Sequence, residues 1–162
     1  MMSGLRGLPL SEGPICQLYV GSSMMISDGS NEHRTNYEVV RASRGRVLIA
    51  GLGLGMILTR ILSKPEVDSV IVVEKYQDVI DLVGRHFQSP KLSIVCADIH
   101  EWNPPRGERF DTIYFDIWAD QSTDDLEEMH TLHRRFRKFK SPGGWMESWN
   151  RYDLQRRKRR GL

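Results

Sequence analysis

The chain has 162 residues, 40% of them hydrophobic and 27% charged, with a formal net charge of +2. That length suits one domain with a real core and is short for two, and the composition fits a globular chain rather than a disordered one. The longest apolar run, residues 47 to 58, is broken by three glycines and falls short of the roughly 20 residues of a membrane span.

In chain order, Ile15 to Val20 and Ser23 to Ser27 are β-prone stretches separated by Gly21 and Ser22, which predicts a hairpin. Asn31 is placed to cap a helix over Glu32 to Ala42. Arg46-Val-Leu-Ile-Ala50 is the uninterrupted apolar run of a strand buried on both faces. Met56 to Leu62 reads as a helix that Ser63, Lys64 and Pro65 end. The alternation repeats: strand Ser69 to Val73, helix Gln77 to Phe87, strand Leu92 to Cys96. Asn103, Pro104, Pro105 and Gly107 allow no more than one helical turn before the strand Phe110 to Phe115. A long helix over Ser122 to Lys140 follows. Ser141-Pro-Gly-Gly144 is expected to stop it ahead of a last strand, Trp145 to Trp149. Strands alternating with helices predict a mainly parallel sheet between two helical layers. The whole of residues 1–162 reads as one domain: hairpin and helix over 1–45, core over 46–149, basic tail over 150–162.

Charge is unevenly placed. Residues 133 to 162 carry 11 Lys/Arg against 2 acids, and the first 132 carry 12 against 19. The long helix opens with Asp124, Asp125, Glu127 and Glu128 and closes with Arg134, Arg135, Arg137, Lys138 and Lys140, the polarity that suits a helix dipole. The tail Arg156-Arg-Lys-Arg-Arg160 lies outside that argument, and is read either as a solvated end or as a nucleic-acid contact. Cys16 and Cys96 have neither metal-ligand spacing nor partners for a disulfide framework, which predicts a reducing, cytoplasmic setting with both thiols filling the core. The first residues show no apolar block ahead of a small-residue cleavage site, as a secretion signal would. His100, His130 and His133 show no metal spacing and read as surface or packing residues.

In a parallel α/β sheet, ligands bind beyond the carboxyl ends of the strands, so the residues there carry the chemistry. The first core strand ends in Gly51-Leu-Gly-Leu-Gly55, where missing Cβ atoms allow positive φ and close approach to a ligand. The second ends in Glu74, 19 residues after Gly55, an acceptor pair suited to the two hydroxyls of a ribose. The third ends in Asp98-Ile99, a carboxylate to accept from an adenine amino group and an isoleucine to cover the ring. The fourth ends in Asp116-Ile-Trp118. Asp116 is read either as the group that orients a nucleophile or takes its proton, or as a structural acid capping the next loop. Trp118 is a pocket wall or a core aromatic, and Asp120 a second, weaker acid. A dinucleotide fingerprint G-x-G-x-x-G fails in both registers, because Met56 and Leu58 stand where its third glycine would be.

These pieces, VLIAGLGLG, VIVVEK, IVCADI, FDTIYFD and the late PGGWM, resemble the cofactor half of class I S-adenosylmethionine-dependent methyltransferases over residues 46 to 149. The resemblance implies a Rossmann-like three-layer α/β sandwich. It also implies S-adenosylmethionine as cofactor, held by Gly51, Gly53, Gly55, Glu74, Asp98 and Ile99, and methyl transfer as the activity. The hairpin and VEKYQDVIDLV are similar to the spermidine synthase-like branch, whose members transfer aminopropyl groups. Leu54 replaces the Asp of that branch's glycine loop, Met24 and Met25 stand where it places a glutamine, and Asp116-Ile-Trp-Ala-Asp120 departs from its fourth-strand motif. Methyl transfer therefore ranks above aminopropyl transfer, with a non-catalytic cofactor-binding regulatory or assembly protein as a further alternative. The resemblance also implies a last antiparallel strand pair, for which no residues remain. The expectation is a sheet without that pair, whose edge strand 145–149 is covered by the hairpin, the tail or a second copy in a homo-oligomer.

Overall fold

Residues 45 to 50 supply the central strand because every side chain from Val47 to Ala50 is apolar and both of its faces are buried. The computed structural model describes residues 17–20, 23–27, 36–119 and 122–161. It contains strands β1 (Gln17–Val20), β2 (Ser23–Ser27), β3 (Gly45–Ala50), β4 (Val67–Glu74), β5 (Leu92–Cys96), β6 (Phe110–Phe115) and β7 (Lys140–Ser148). The α-helices are α1 (Tyr37–Ala42), α2 (Met56–Leu62), α3 (Gln77–Val83), α4 (Leu126–Phe136) and α5 (Arg151–Arg159). β1 and β2 pair antiparallel, with Leu18 opposite Ile26. The other five form one sheet in the order β5-β4-β3-β6-β7, and every pair is parallel. Among the described residues the sheet stops at β7, with no antiparallel strand beside it.

Alternate residues of β3 feed opposite layers. Val47 and Ile49 join Leu58, Ile61, Val70 and Val79 on one face, while Leu48 and Ala50 join Phe115, Leu126, Met129, Leu132 and Phe136 on the other. The result is the expected Rossmann-like α/β sandwich. α4 takes part through Leu126, Met129, Leu132 and Phe136, which recur every three or four residues and so share one helical face. Among the described residues no helix is long and apolar enough to cross a membrane.

The structure corrects the expected boundaries in three places. The helix expected over Ser122 to Lys140 is α-helical only over Leu126–Phe136, with 3₁₀ turns at Thr123–Asp125 and Arg137–Phe139. Ser141-Pro-Gly-Gly144 does not precede the last strand but lies within it. Phe110 pairs with Lys140 and Thr112 with Trp145, so residues 141 to 144 bulge opposite Asp111, a distortion that proline and glycine tolerate. Gly143 takes φ 71° and its carbonyl accepts from Arg44 Nη2 at 2.9 Å. The basic tail contains an unexpected helix, α5, whose Leu154 is 1% exposed and packs into the α4 side of the core, while Arg156 to Arg160 all stay exposed, as a solvated end would. Cys96 is exposed rather than core, and Cys16, Asn31 and the start of the helix expected from Glu32 lie outside the described residues.

Of the surface and packing readings His133 takes the packing one, and its environment couples stability to pH. Its Nε2 lies 2.9 Å from Ser148 Oγ and its ring 5.6 Å from that of Phe115. Burial first, then the nearby Arg151 cation, hold its imidazole down from the ordinary 6.5 to about 4, against the opposing pull of Glu147. Between these values the folded chain keeps His133 neutral while the unfolded chain protonates it, so the unfolded state binds more protons. Its contribution to stability is therefore complete above pH 6.5 and declines as pH falls toward 4. Urea midpoints at pH 7, 5.5 and 4.5 should fall more steeply for the wild type than for His133→Gln, which keeps a polar side chain but does not titrate.

Gly51 is the most constrained glycine of the sheet. It takes φ 95°, and a Cβ there would lie 2.1 Å from the backbone oxygen of Asp116. Gly107 has a similar φ of 87° but open space around it. Gly51→Ala should cost about 3–5 kcal/mol from strain and overlap together, and lower the melting temperature by roughly 10 °C or more. Gly107→Ala should cost only about 1 kcal/mol. Equal thermal shifts in the two variants would contradict the assignment of strain to the Gly51 contact.

Candidate functional site

From β3 the chain builds outward through β4 to β5, then returns to the other side of β3 as β6. The order reverses between β3 and β6, and a crevice opens beyond their carboxyl ends. Backbone pairing continues one step past the strands there: Gly51 N donates to Val73 O at 2.9 Å and Asp116 N to Ala50 O at 2.8 Å. The structure brings Gly51, Gly53, Glu74, Asp98, Ile99, Asp116 and Trp118 to the wall of a single cavity of about 240 Å³ at this point.

Glu74 is 6% exposed, and its carboxylate is held from two sides. Oε2 accepts from Leu52 N at 2.8 Å and Oε1 from Tyr76 N at 2.9 Å. It thus ties the glycine loop to the end of β4 through two charge-assisted bonds. Since a carboxylate offers about four lone-pair sites, acceptor capacity remains on both oxygens. Asp98 carries an ion pair to Lys75 Nζ at 2.9 Å, and its Oδ1 accepts from His100 N at 2.9 Å. The Lys75 hydrogen bond, followed by that from the His100 amide, holds the Asp98 carboxyl below its usual range. Ile99, 4% exposed, supplies an apolar floor beside it.

Trp118 is 8% exposed and lines the cavity, so the wall and core readings both describe it. Its Nε1 donates to Glu128 Oε2 at 2.7 Å, and Glu128 Oε1 lies 2.9 Å from His100 Nε2. One carboxylate from α4 thereby fixes an indole after β6 and an imidazole after β5. Sequence reasoning passes over this pair, reading His100 as surface or packing and Glu128 as dipole compensation. Lys75 and Tyr76, also on the wall, are within its reach as the residues following Glu74. Gly55 stands outside the lining. It starts α2 at φ 71°, and a Cβ there would lie 2.3 Å from the Phe87 ring, so packing explains it. Asp120 lies outside the described residues.

A second, smaller cavity of about 30 Å³ adjoins the first. The two share Gly51, Gly53, Asp116, Trp118 and Ala119, and the second adds Asn36, Leu54, Met56 and Trp149 among its walls. Among the described residues no group of His, Cys, Asp or Glu is arranged to hold a metal ion.

The parallel sheet, its reversal beside β3 and the cavity there are a fold shared with solved structures of S-adenosylmethionine-dependent methyltransferases. Solved structures sharing it include the N-methyltransferase NodS from Bradyrhizobium japonicum WM9, 18% identical with a TM-score of 0.55 over 75% of this chain and 68% of that one. Another is a putative methyltransferase from Pseudomonas syringae, 20% identical with a TM-score of 0.54 over 73% and 74%. In sequence the chain is similar to polyamine aminopropyltransferase 2 of Ralstonia nicotianae, 26% identical over 133 aligned residues, covering 72% of this chain and 26% of that protein. The chain spans about a quarter of the length of such curated relatives. It matches no protein-family model.

The Glu128 bridge has a direct optical test. Glu128→Ala should leave the Trp118 indole N–H without its acceptor, at a cost of about 1–3 kcal/mol, and make its emission redder and more readily quenched by acrylamide. Glu128→Gln, which keeps one acceptor oxygen, should lie between. The same comparison in a Trp118→Phe background should show no difference, assigning the signal to Trp118 among the four tryptophans.

Proposed function

We propose that this chain transfers a methyl group from S-adenosylmethionine to an acceptor that enters beside Asp116. The observation that carries the reading is the convergence of the Gly51–Gly53 loop, Glu74 and Asp98 with Ile99 on one cavity at the point where strand order reverses. The donor set fits the cofactor. Ribose hydroxyls and an adenine amino group are hydrogen-bond donors, and the wall meets them with carboxylate acceptors already oriented by backbone N–H groups. Glu74 takes the ribose hydroxyls, Asp98 the amino group, and Ile99 covers the ring. The glycine loop lets backbone approach the ligand without side chains between.

When bound, the cofactor supplies an already activated methyl group, so alignment is the main demand on the protein. Asp116, common to both cavities, orients the incoming nucleophile and takes its proton. Trp118, locked by Glu128, keeps water from the junction. Aminopropyl transfer is the second reading, favoured by the two Ralstonia relatives named polyamine aminopropyltransferases. Leu54 on the glycine loop and the Asp116-Ile-Trp118 strand end weigh against it.

Calorimetric titration with S-adenosylmethionine and with its decarboxylated form separates the two. The intact cofactor should bind more tightly; preference for the decarboxylated form would move the assignment to aminopropyl transfer. Glu74→Ala should weaken binding at least about tenfold, equivalent to ~1.4 kcal/mol. Asp116→Ala should leave affinity within about twofold and slow labelled-methyl transfer by roughly 100-fold or more. Equal loss of cofactor affinity in both variants would refute this division of roles, and binding of neither form would remove the proposal.

A further inference from the structure

The residues shared by the two cavities mark where a ligand in one meets a ligand in the other. Those residues are Gly51, Gly53, Asp116, Trp118 and Ala119. If the larger cavity holds the cofactor, the smaller one receives the acceptor, and its polar side chains decide which nucleophile is accepted. Among the described residues they are Asp116, an acceptor when ionised, and Asn36, a carboxamide. Among the described residues no Lys or Arg stands on that wall.

Asn36 is 7% exposed, so its side chain is not a surface amide that turns freely. Its backbone carbonyl accepts from Val40 N at 3.3 Å at the start of α1. Its Oδ1 lies 3.3 Å from the hydroxyl of Tyr114, which is 3% exposed. Burial, followed by the charges of Asp116 and Glu147, keeps that phenol protonated. A protonated phenol has one hydrogen to place, and Asn36 Oδ1 takes it. This fixes the amide orientation and leaves Nδ2 as the group Asn36 contributes to the wall, a donor.

A donor opposite a carboxylate discriminates between nucleophiles by their lone pairs. A hydroxyl oxygen gives its proton to Asp116, accepts from Asn36 Nδ2 with one lone pair and keeps the other for attack. An amine nitrogen has a single lone pair, for which Asn36 Nδ2 and the methyl carbon compete, and an ammonium has none. Trp118 and Trp149 also line this cavity.

Resting on the methyl-transfer reading above, we infer that the smaller cavity is an acceptor chamber in which Asn36 selects a hydroxyl over an amine. In the transfer the hydroxyl oxygen forms the new O–C bond as the C–S bond breaks. The electron pair of that bond stays on sulfur, which becomes a neutral thioether, and the hydroxyl proton passes to Asp116 and on to water. The products are a methyl ether, S-adenosylhomocysteine and a proton.

The test is a site-resolved titration of the ¹⁵N-labelled chain by NMR, with and without S-adenosylhomocysteine, using 1-propanol and 1-propylammonium. 1-Propanol should shift the Asn36 Nδ2 and the Trp118 and Trp149 indole signals saturably, with at least about fivefold tighter binding than 1-propylammonium. Asn36→Leu should weaken 1-propanol about tenfold. Asn36→Asp, which turns the donor into an acceptor, should reverse the order of alcohol and ammonium. An ammonium bound as tightly as the alcohol in the wild type, an order unchanged by Asn36→Asp, or no saturable shift at Asn36 would each overturn the inference. S-adenosylhomocysteine should separately shift the Gly51, Gly53 and Ile99 amides. If it does not while 1-propanol still reports at Asn36, the cofactor reading falls and the chamber stands; the reverse pattern removes the chamber alone.

Discussion

The site depends on how closely the carboxyl ends of β3 and β6 approach each other. At Gly51 the backbone oxygen of Asp116 occupies the space a Cβ would need. That approach constrains the strand ends on either side of it. The chain can leave β3 only by the left-handed path Gly51 takes, and this path presents Leu52 N to Glu74. Glu74 in turn accepts from Tyr76 N and so fixes the exit from β4. One close backbone contact therefore orders three of the four strand ends that form the cavity.

The fourth end, after β5, is held from the opposite layer. Arg135 of α4 donates to the carbonyls of Ile99 and His100 at 2.7 and 2.6 Å, to that of Trp102, and to Asn103 Oδ1 at 3.2 Å. Glu128, two turns earlier on the same helix, reaches His100 and Trp118. The helix that buries Leu126, Met129, Leu132 and Phe136 against the sheet thus uses its flank to set the loops bearing Ile99 and Trp118. Burial and site geometry are one mechanical system here: the apolar face fixes the helix axis, and the axis fixes where the two polar residues reach.

Sequence reasoning reaches the parts of this arrangement that depend on local pattern. β3 and β6 each finish in an apolar run with glycine or aspartate directly after it, and their ends fall where expected. It does not reach the parts that depend on contacts between distant residues. Glu128 and His100 are 28 positions apart, and nothing in either segment points to the other. α5 escapes it because Leu154 is a single buried apolar residue among five cations, too little for a periodic signal. The bulge at 141 to 144 reads as a terminator because Pro and Gly have the same local signature in both roles. Spacing groups Gly55 with Gly51 and Gly53, although it yields to the Phe87 ring instead of lining the cavity. Asn36 gives no local signal because its partner, Tyr114, lies 78 positions away.

Electrostatics explains why a glycine loop at this position need not mean a phosphate site. A pyrophosphate-binding loop uses a helix N-terminus to meet an anion, with little negative charge nearby. In this chain the cavity beside the loop also collects Glu74, Asp98, Asp116 and Glu128, against Lys75 and His100. Glu74 takes two backbone N–H groups, one of them the Leu52 amide of the loop itself, so a donor a phosphate would need is already spent on a carboxylate. A bound diphosphate would face this excess of acid in a partly desolvated cleft, where charge repulsion is stronger than in water. A ligand with a sulfonium and hydroxyl and amino donors meets the same wall favourably. The absence of a third fingerprint glycine and the acidity of the wall are thus two independent signs of one preference: neutral donors and positive charge over phosphate.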